Sequence, residues 1–244
     1  MKIFFSCLCF IAIVLMLLSA RSFKKIDVAT DQLKGSWMHQ SGQEEQVVLF
    51  IDGYYTHTSY SQSGKKFIET SGGTYTVDGK KLNIAYEFNT GGSEQTGTSA
   101  SHAFAIVNNE MAITMNGKTT SYKRIDSGDA LLAGVWSITG RMAEGKVVAI
   151  HRTGTRKTIK ILSGTRFQWA AIDPGVKQFS GTGGGIYEFV NGKYTEHIEF
   201  FSRDSSRVGA SLNFDGKLEN GEWHHSGLSS KGDKLYEIWG RVKN

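Results

Sequence analysis

The stretch Gly183–Ser202, GGGIYEFVNGKYTEHIEFFS, sets the fold, because it reads as a strand, a two-residue turn and a second strand. Asn191-Gly192 supplies the positive φ angles of a tight hairpin turn, and the flanking runs are rich in the β-branched and aromatic residues that suit a pleated surface. Similar pairs recur at Asp52-Gly53, Asp78-Gly79, Asn116-Gly117, Asp215-Gly216 and Asn220-Gly221. No segment holds apolar residues at helical spacing for more than about two turns. The chain is expected to be all-β, a meander of antiparallel hairpins.

The chain also repeats itself. LKGSW (Leu33–Trp37) returns as LAGVW (Leu132–Trp136), and SGGTYTVDGK (Ser71–Lys80) returns as GGGIYEFVNGK (Gly183–Lys193). Two copies follow one another, about residues 31–126 and 130–243, joined by the short DSGDA connection. Each is long enough to surround a core of its own, and rolling each sheet closed removes its exposed edges. Two consecutive antiparallel β-barrels are the expected architecture.

Ahead of them, Lys2 precedes the apolar run IFFSCLCFIAIVLMLLSA, which ends in the small-residue pattern Leu18-Ser19-Ala20. Residues 1–20 are expected to be a signal peptide, placing the protein in the periplasm or outside the cell; an uncleaved N-terminal anchor is the alternative. No second apolar run follows, so no stable transmembrane segment is expected after processing. Both cysteines, Cys7 and Cys9, lie inside this segment, so a cleaved chain has no disulfide. The formal charge of +5 is spread over scattered lysines and arginines, which gives nucleic-acid binding no support.

The Gly-x-Trp that opens each copy, after a short polar turn, resembles the first strand of lipocalins and the wider calycin group. That resemblance implies an arginine of the last strand packed over each tryptophan: Arg124 over Trp37 and Arg241 over Trp136. The second copy, from FQWAAIDP to YEIWGRV, is similar to the small lipocalin-like domains of secreted Bacteroidetes proteins, which implies a fold without a settled activity. The chain departs from lipocalins in having no possible family disulfide and no helix after the last strand.

Within KYTEHIEFF, strict alternation puts Thr195, His197, Glu199 and Phe201 on one face and Tyr194, Glu196, Ile198 and Phe200 on the other. His197 and Glu199 either form an exposed cross-strand pair or line a polar cavity. In the second case Arg166, Gln168, Trp169, Tyr187, Trp223 and His224 join them as the candidate ligand-binding set, aromatic walls with a few convergent polar groups. The function expected is the binding or carriage of a small hydrophobic or amphipathic molecule in the second barrel, with no cofactor; a protein partner is also open. Adjacent histidines point to opposite strand faces, and no His-Glu-x-x-His run exists, so no metal is expected. A hydrolase or isomerase using Glu196, His197 or Glu199 is the rival, although no nucleophile elbow, phosphate loop or dinucleotide motif occurs. A non-catalytic scaffold module is the third reading. In the first copy, DGYYTHTSY puts Tyr55, His57 and Ser59 on one face and Tyr54, Thr56, Thr58 and Tyr60 on the other, expected to be a surface ladder rather than a binding patch.

Overall fold

The computed structural model describes residues 28–242 except 116, 152 and 230. The expected signal peptide with Cys7 and Cys9, and the Asn116 of one turn pair, lie outside these residues. A short helix, α1 (Val28–Leu33), leads into β1 (Gly35–Ser41), β2 (Glu44–Ile51), β3 (Tyr54–Ser61), β4 (Lys66–Asp78), β5 (Lys81–Asn89), β6 (Ser99–Val107), β7 (Glu110–Met115) and β8 (Lys118–Asp126). Each strand pairs with the next, and β8 returns to β1, closing the first barrel.

The second copy runs through β9 (Gly134–Ala143), β10 (Lys146–Ala149), β11 (Lys157–Leu162), β12 (Arg166–Asp173), β13 (Gln178–Val190), β14 (Lys193–Phe201), β15 (Ser211–Glu219), β16 (Glu222–Leu228) and β17 (Lys234–Arg241). It closes through β9 and β17. Both β10 and β11 pair with β9, so together they take the place of β2, interrupted by residues 150–156.

The closed end of each barrel is built alike. Trp37 Nε1 donates to Leu33 O at 2.8 Å, and Trp136 Nε1 donates to Leu132 O at 2.9 Å. The Arg124 guanidinium lies 3.9 Å from the Trp37 ring centre and that of Arg241 lies 4.3 Å from Trp136, the two lids that the lipocalin resemblance implies. Each arginine also ties down backbone at the barrel entrance, through Lys34 O and Ala133 O.

A bulge at one place in each copy shapes the molecule. Gly72 and Gly73 pair with Phe88 and Tyr86, leaving Glu87 as the extra residue; Gly184 and Gly185 pair with Phe200 and Ile198, leaving Glu199 as the extra residue. Only glycine permits this approach, since a Cβ on Gly73 would lie 1.9 Å from Ala85 O and one on Gly185 2.0 Å from His197 O. The extra residue reverses the alternation. Tyr86 and Ile198 still face inward, but Glu87, Phe88, Glu199 and Phe200 all turn outward, toward the other barrel. Strict alternation would put Leu82, Ile84, Tyr86 and Phe88 on one apolar face; the bulge breaks that face at its last member, and the Tyr194–Phe200 face is broken likewise.

These outward residues help to seal the two barrels against one another. Val47, Leu49, Ile51, Tyr54, Tyr60 and Phe88 of the first pack against Val135, Ile159, Ile161, Ala170, Ile172 and Phe200 of the second. Burying this many large apolar side chains makes separation of the barrels costly. Asp126, the last residue of β8, fastens one edge of the seam. It accepts from Ser36 Oγ at 2.6 Å, from Ser163 Oγ at 2.9 Å, and from the Gly164 and Thr165 backbone amides at 2.9 and 3.0 Å. Burial alone would raise its pKa, but the hydrogen bonds outweigh burial and hold the carboxyl below 3.8. With its folded pKa below the unfolded one, Asp126 contributes stability that is complete above the unfolded pKa and lost as pH falls through the folded one. Asp126→Ala is expected to cost about 2 kcal/mol in urea denaturation at pH 7, with a smaller difference from the parent at pH 3; equal losses at both pH values would show that charge is not involved.

Candidate functional site

The upper half of the first barrel is hollow. Its floor is closed by Trp37, Val48, Phe50, Tyr75, Leu82 and Ile84. Above them lies a cavity of about 450 Å³, within the usual range of small-molecule sites. Inward-facing positions of β2 through β8 line it, alternating with residues that face solvent or the seam.

The walls carry many neutral hydrogen-bonding groups. Tyr122 OH donates to Gln46 Oε1 at 3.1 Å, and Tyr86 OH lies 3.0 Å from His102 Nε2. The Tyr55 hydroxyl is fully buried and makes no close hydrogen bond, with the Ser71 side chain as its polar neighbour. Burial pushes all three tyrosines above their ordinary pKa, so they remain neutral donors. Ala100, Ile113 and Met115 give the same chamber an apolar side, while Glu69, Glu94 and Lys118 complete the lining with charge.

His57 projects into this space, 3.5 Å from Gln46. Burial lowers its pKa from 6.5 to about 4, against a smaller opposing pull from Glu44. The imidazole is thus uncharged at neutral pH and can donate through one nitrogen and accept through the other. Since an unfolded chain protonates this histidine near 6.5, its contribution to stability is complete above that pH and is lost as pH falls toward 4.

The two copies differ at the positions that line this space. Counting from the matched turns and pairings, His57, Asn89 and Ala100 of the first barrel correspond to Trp169, Phe201 and Leu212 of the second. Trp169 and Phe201 meet edge to face with ring centres 5.4 Å apart. They occupy volume that is open in the first barrel, and the second keeps a narrower chamber of about 200 Å³.

The eight residues picked out from the sequence divide among three environments. Trp169, Tyr187 and Trp223 face the interior of the second barrel. Tyr187 donates to Ser163 O at 2.7 Å, and Trp223 packs edge-on against Trp136 and Tyr194. Arg166, Gln168 and Glu199 lie in the seam. Arg166 pairs with Glu199, which also accepts from Tyr60 OH at 2.7 Å; Gln168 exchanges hydrogen bonds with Thr58 and Thr70 across the seam and with Thr182. His197 and His224 sit on the outer surface, bonded to Ser211 Oγ at 2.8 Å and Tyr236 OH at 2.9 Å. The expected single pocket is therefore corrected to these separate places: the bulge re-aims Glu199, and His225, not its neighbour His224, turns inward beside Trp223.

DGYYTHTSY is corrected as well. Tyr55 and His57 line the cavity, and Tyr54, Thr56, Thr58 and Tyr60 are buried on the opposite face, so the expected surface ladder is covered on both sides. Tyrosines at both parities of this strand, Tyr54 and Tyr60 on one face and Tyr55 on the other, are the signal that alternation by itself leaves unread.

Among the described residues, no group of three or more histidine, cysteine, aspartate or glutamate side chains is arranged to hold a metal. Among the same residues, no helix is long and apolar enough to cross a membrane. No protein-family model matches the chain, and no curated protein matches it.

Proposed function

We propose that this chain is an exported, lipocalin-like tandem that binds a small, neutral, amphipathic molecule, with the first barrel as its principal site. The hollow carries this reading: a cavity of about 450 Å³ whose wall includes Tyr55, with a buried hydroxyl that makes no close hydrogen bond and has Ser71 as its polar neighbour. A ligand acceptor that reaches the Tyr55 hydroxyl gains a hydrogen bond worth on the order of 1 kcal/mol. Tyr86, Tyr122, Gln46 and His57 add neutral donors and acceptors, while Ile113 and Met115 offer an apolar wall. Hydroxylated ligands with one apolar face, such as aryl glycosides, combine these features.

The reading as a hydrolase or isomerase through Glu196, His197 and Glu199 draws no support from their placement. Glu196 faces the second interior, His197 the outer surface and Glu199 the seam.

Tyr55→Phe separates binding from folding. Removing a buried hydroxyl that makes no close hydrogen bond is expected to change thermal stability little, while weakening binding about tenfold. Native mass spectrometry with pools of neutral aryl glycosides and hydroxylated aromatics reads the second effect. A retained adduct that Tyr55→Phe diminishes supports the site; an adduct indifferent to the substitution, or none from any pool, rejects it.

A further inference from the structure

The second barrel holds charged groups where the first holds hydrocarbon. Matched through their strand pairings, Lys160 stands at the position of Val48, Glu196 at Ile84, His225 at Ile113 and Glu237 at Thr120. Lys160 Nζ lies 2.7 Å from Glu196 Oε1, which also accepts from Tyr194 OH at 2.9 Å. The same ammonium lies 5.3 Å from the ring centres of both Trp223 and Trp239. Because the first copy closes with Val48 and Ile84, the barrel does not need this ion pair, and buried pairs seldom stabilise more than the apolar residues they replace.

The remaining two groups are less well satisfied. His225 is 2% exposed, and neither ring nitrogen has a hydrogen-bond partner; its Nδ1 stands 3.5 Å from Glu237 Oε2. Glu237 accepts from Trp239 Nε1 at 3.0 Å; Arg141 stands opposite it across the β9–β17 pairing, and Lys160 is engaged by Glu196. Burial would raise the pKa of Glu237, yet His225, Lys160 and Trp239 together hold it below 4.5, and burial lowers that of His225 below 6.5. The chamber therefore brings the Lys160–Glu196 ion pair together with Glu237 and an imidazole whose burial disfavours its charged form. The Glu237 carboxylate, 20% exposed, is the acidic group of the chamber that no lysine or arginine among the described residues meets within ion-pair distance.

We infer that the chamber of about 200 Å³ in the second barrel is a separate binding site for a small organic amine, whose ammonium would sit between Glu237 and the unprotonated nitrogen of His225. Trp169, Phe201 and Phe214 supply aromatic walls for the body of such a ligand and can face its cationic end. This site is independent of the one proposed in the first barrel.

The test compares 2-phenylethylamine, 2-phenylethanol and phenylacetate, which share an aromatic body and differ in charge. Each is titrated into the full chain at pH 7.5 and followed by tryptophan fluorescence and by the NMR signals of His225. The amine is expected to bind saturably and at least tenfold more tightly than the alcohol, with no binding of the carboxylate. Glu237→Gln is expected to weaken the amine at least tenfold and leave the alcohol unchanged. If that variant does not fold, Glu237→Thr, which restores the residue of the first copy, takes its place. Equal affinity for all three probes, absence of saturable amine binding, or an amine affinity indifferent to Glu237 overturns the inference. Phenyl β-glucoside binding, read at Met115 in the same samples, reports on the first barrel, so the two sites fail or succeed separately.

Discussion

Glu199→Ala is expected to destabilise the protein by about 3 kcal/mol, because it strands the Arg166 guanidinium inside the seam between the barrels. Glu199 and Arg166 are 6% and 8% exposed. Arg166 Nε already lacks a partner, so loss of the carboxylate leaves the cation with the Tyr60 hydroxyl and the more distant influence of Glu45. Glu45 carries a pKa raised by burial and then by Glu199, a repulsion that vanishes in the variant. Its partial neutralisation of Arg166 places the loss at the lower end of the range for a broken buried pair. The double replacement Arg166→Met with Glu199→Leu removes both charges and is expected to stay within about 1 kcal/mol of the parent. Urea denaturation of the single and double variants measures both values. A loss below 1 kcal/mol for Glu199→Ala would mean that water reaches the seam.

The other large effect is on binding. His57→Trp combined with Ser71→Gly rebuilds in the first barrel what the second already has, an indole lying over a glycine: Trp169 above Gly183. A Cβ on Gly183 would come within 2.8 Å of the Trp169 ring nitrogen, which is why the serine has to change together with the histidine. Filling the cavity is expected to reduce neutral-ligand binding at least a hundredfold without lowering thermal stability, since the new ring buries apolar surface in otherwise open space. Calorimetric titration with phenyl β-glucoside, alongside a thermal melt, checks both halves. Undiminished affinity in a folded variant places the ligand elsewhere.

Much of the fold is legible in local chemistry. The Asn-Gly and Asp-Gly pairs mark hairpin turns, with Asp52, Asn191 and Asn220 at positive φ, and the repeated Gly-x-Trp marks the closed end of each barrel. The site is less legible, for two physical reasons. Alternation distinguishes two faces of a strand, but these strands meet three surroundings: barrel interior, solvent and the other barrel. Gln168 and Thr58 read as pocket or surface residues because nothing in their spacing announces a second sheet packed outside the first. The second reason is the bulge, which a parity count passes over although Gly72-Gly73 and Gly184-Gly185 mark its place. Glu199 and Phe200 consequently change sides. Adjacent Trp223 and His224 could never share one face, and counting from the Asn220-Gly221 turn selects His225 as the inward histidine.

The hollow of the first barrel is tested most directly by methyl NMR of the full chain, labelled at methionine and isoleucine and titrated with phenyl β-glucoside. The Met115 and Ile113 methyl signals are expected to shift saturably together, while Ile159 and Ile161 in the seam stay fixed. Unmoved Met115 and Ile113 signals at saturating concentrations, or shifts confined to the second barrel, would contradict a ligand site in the first.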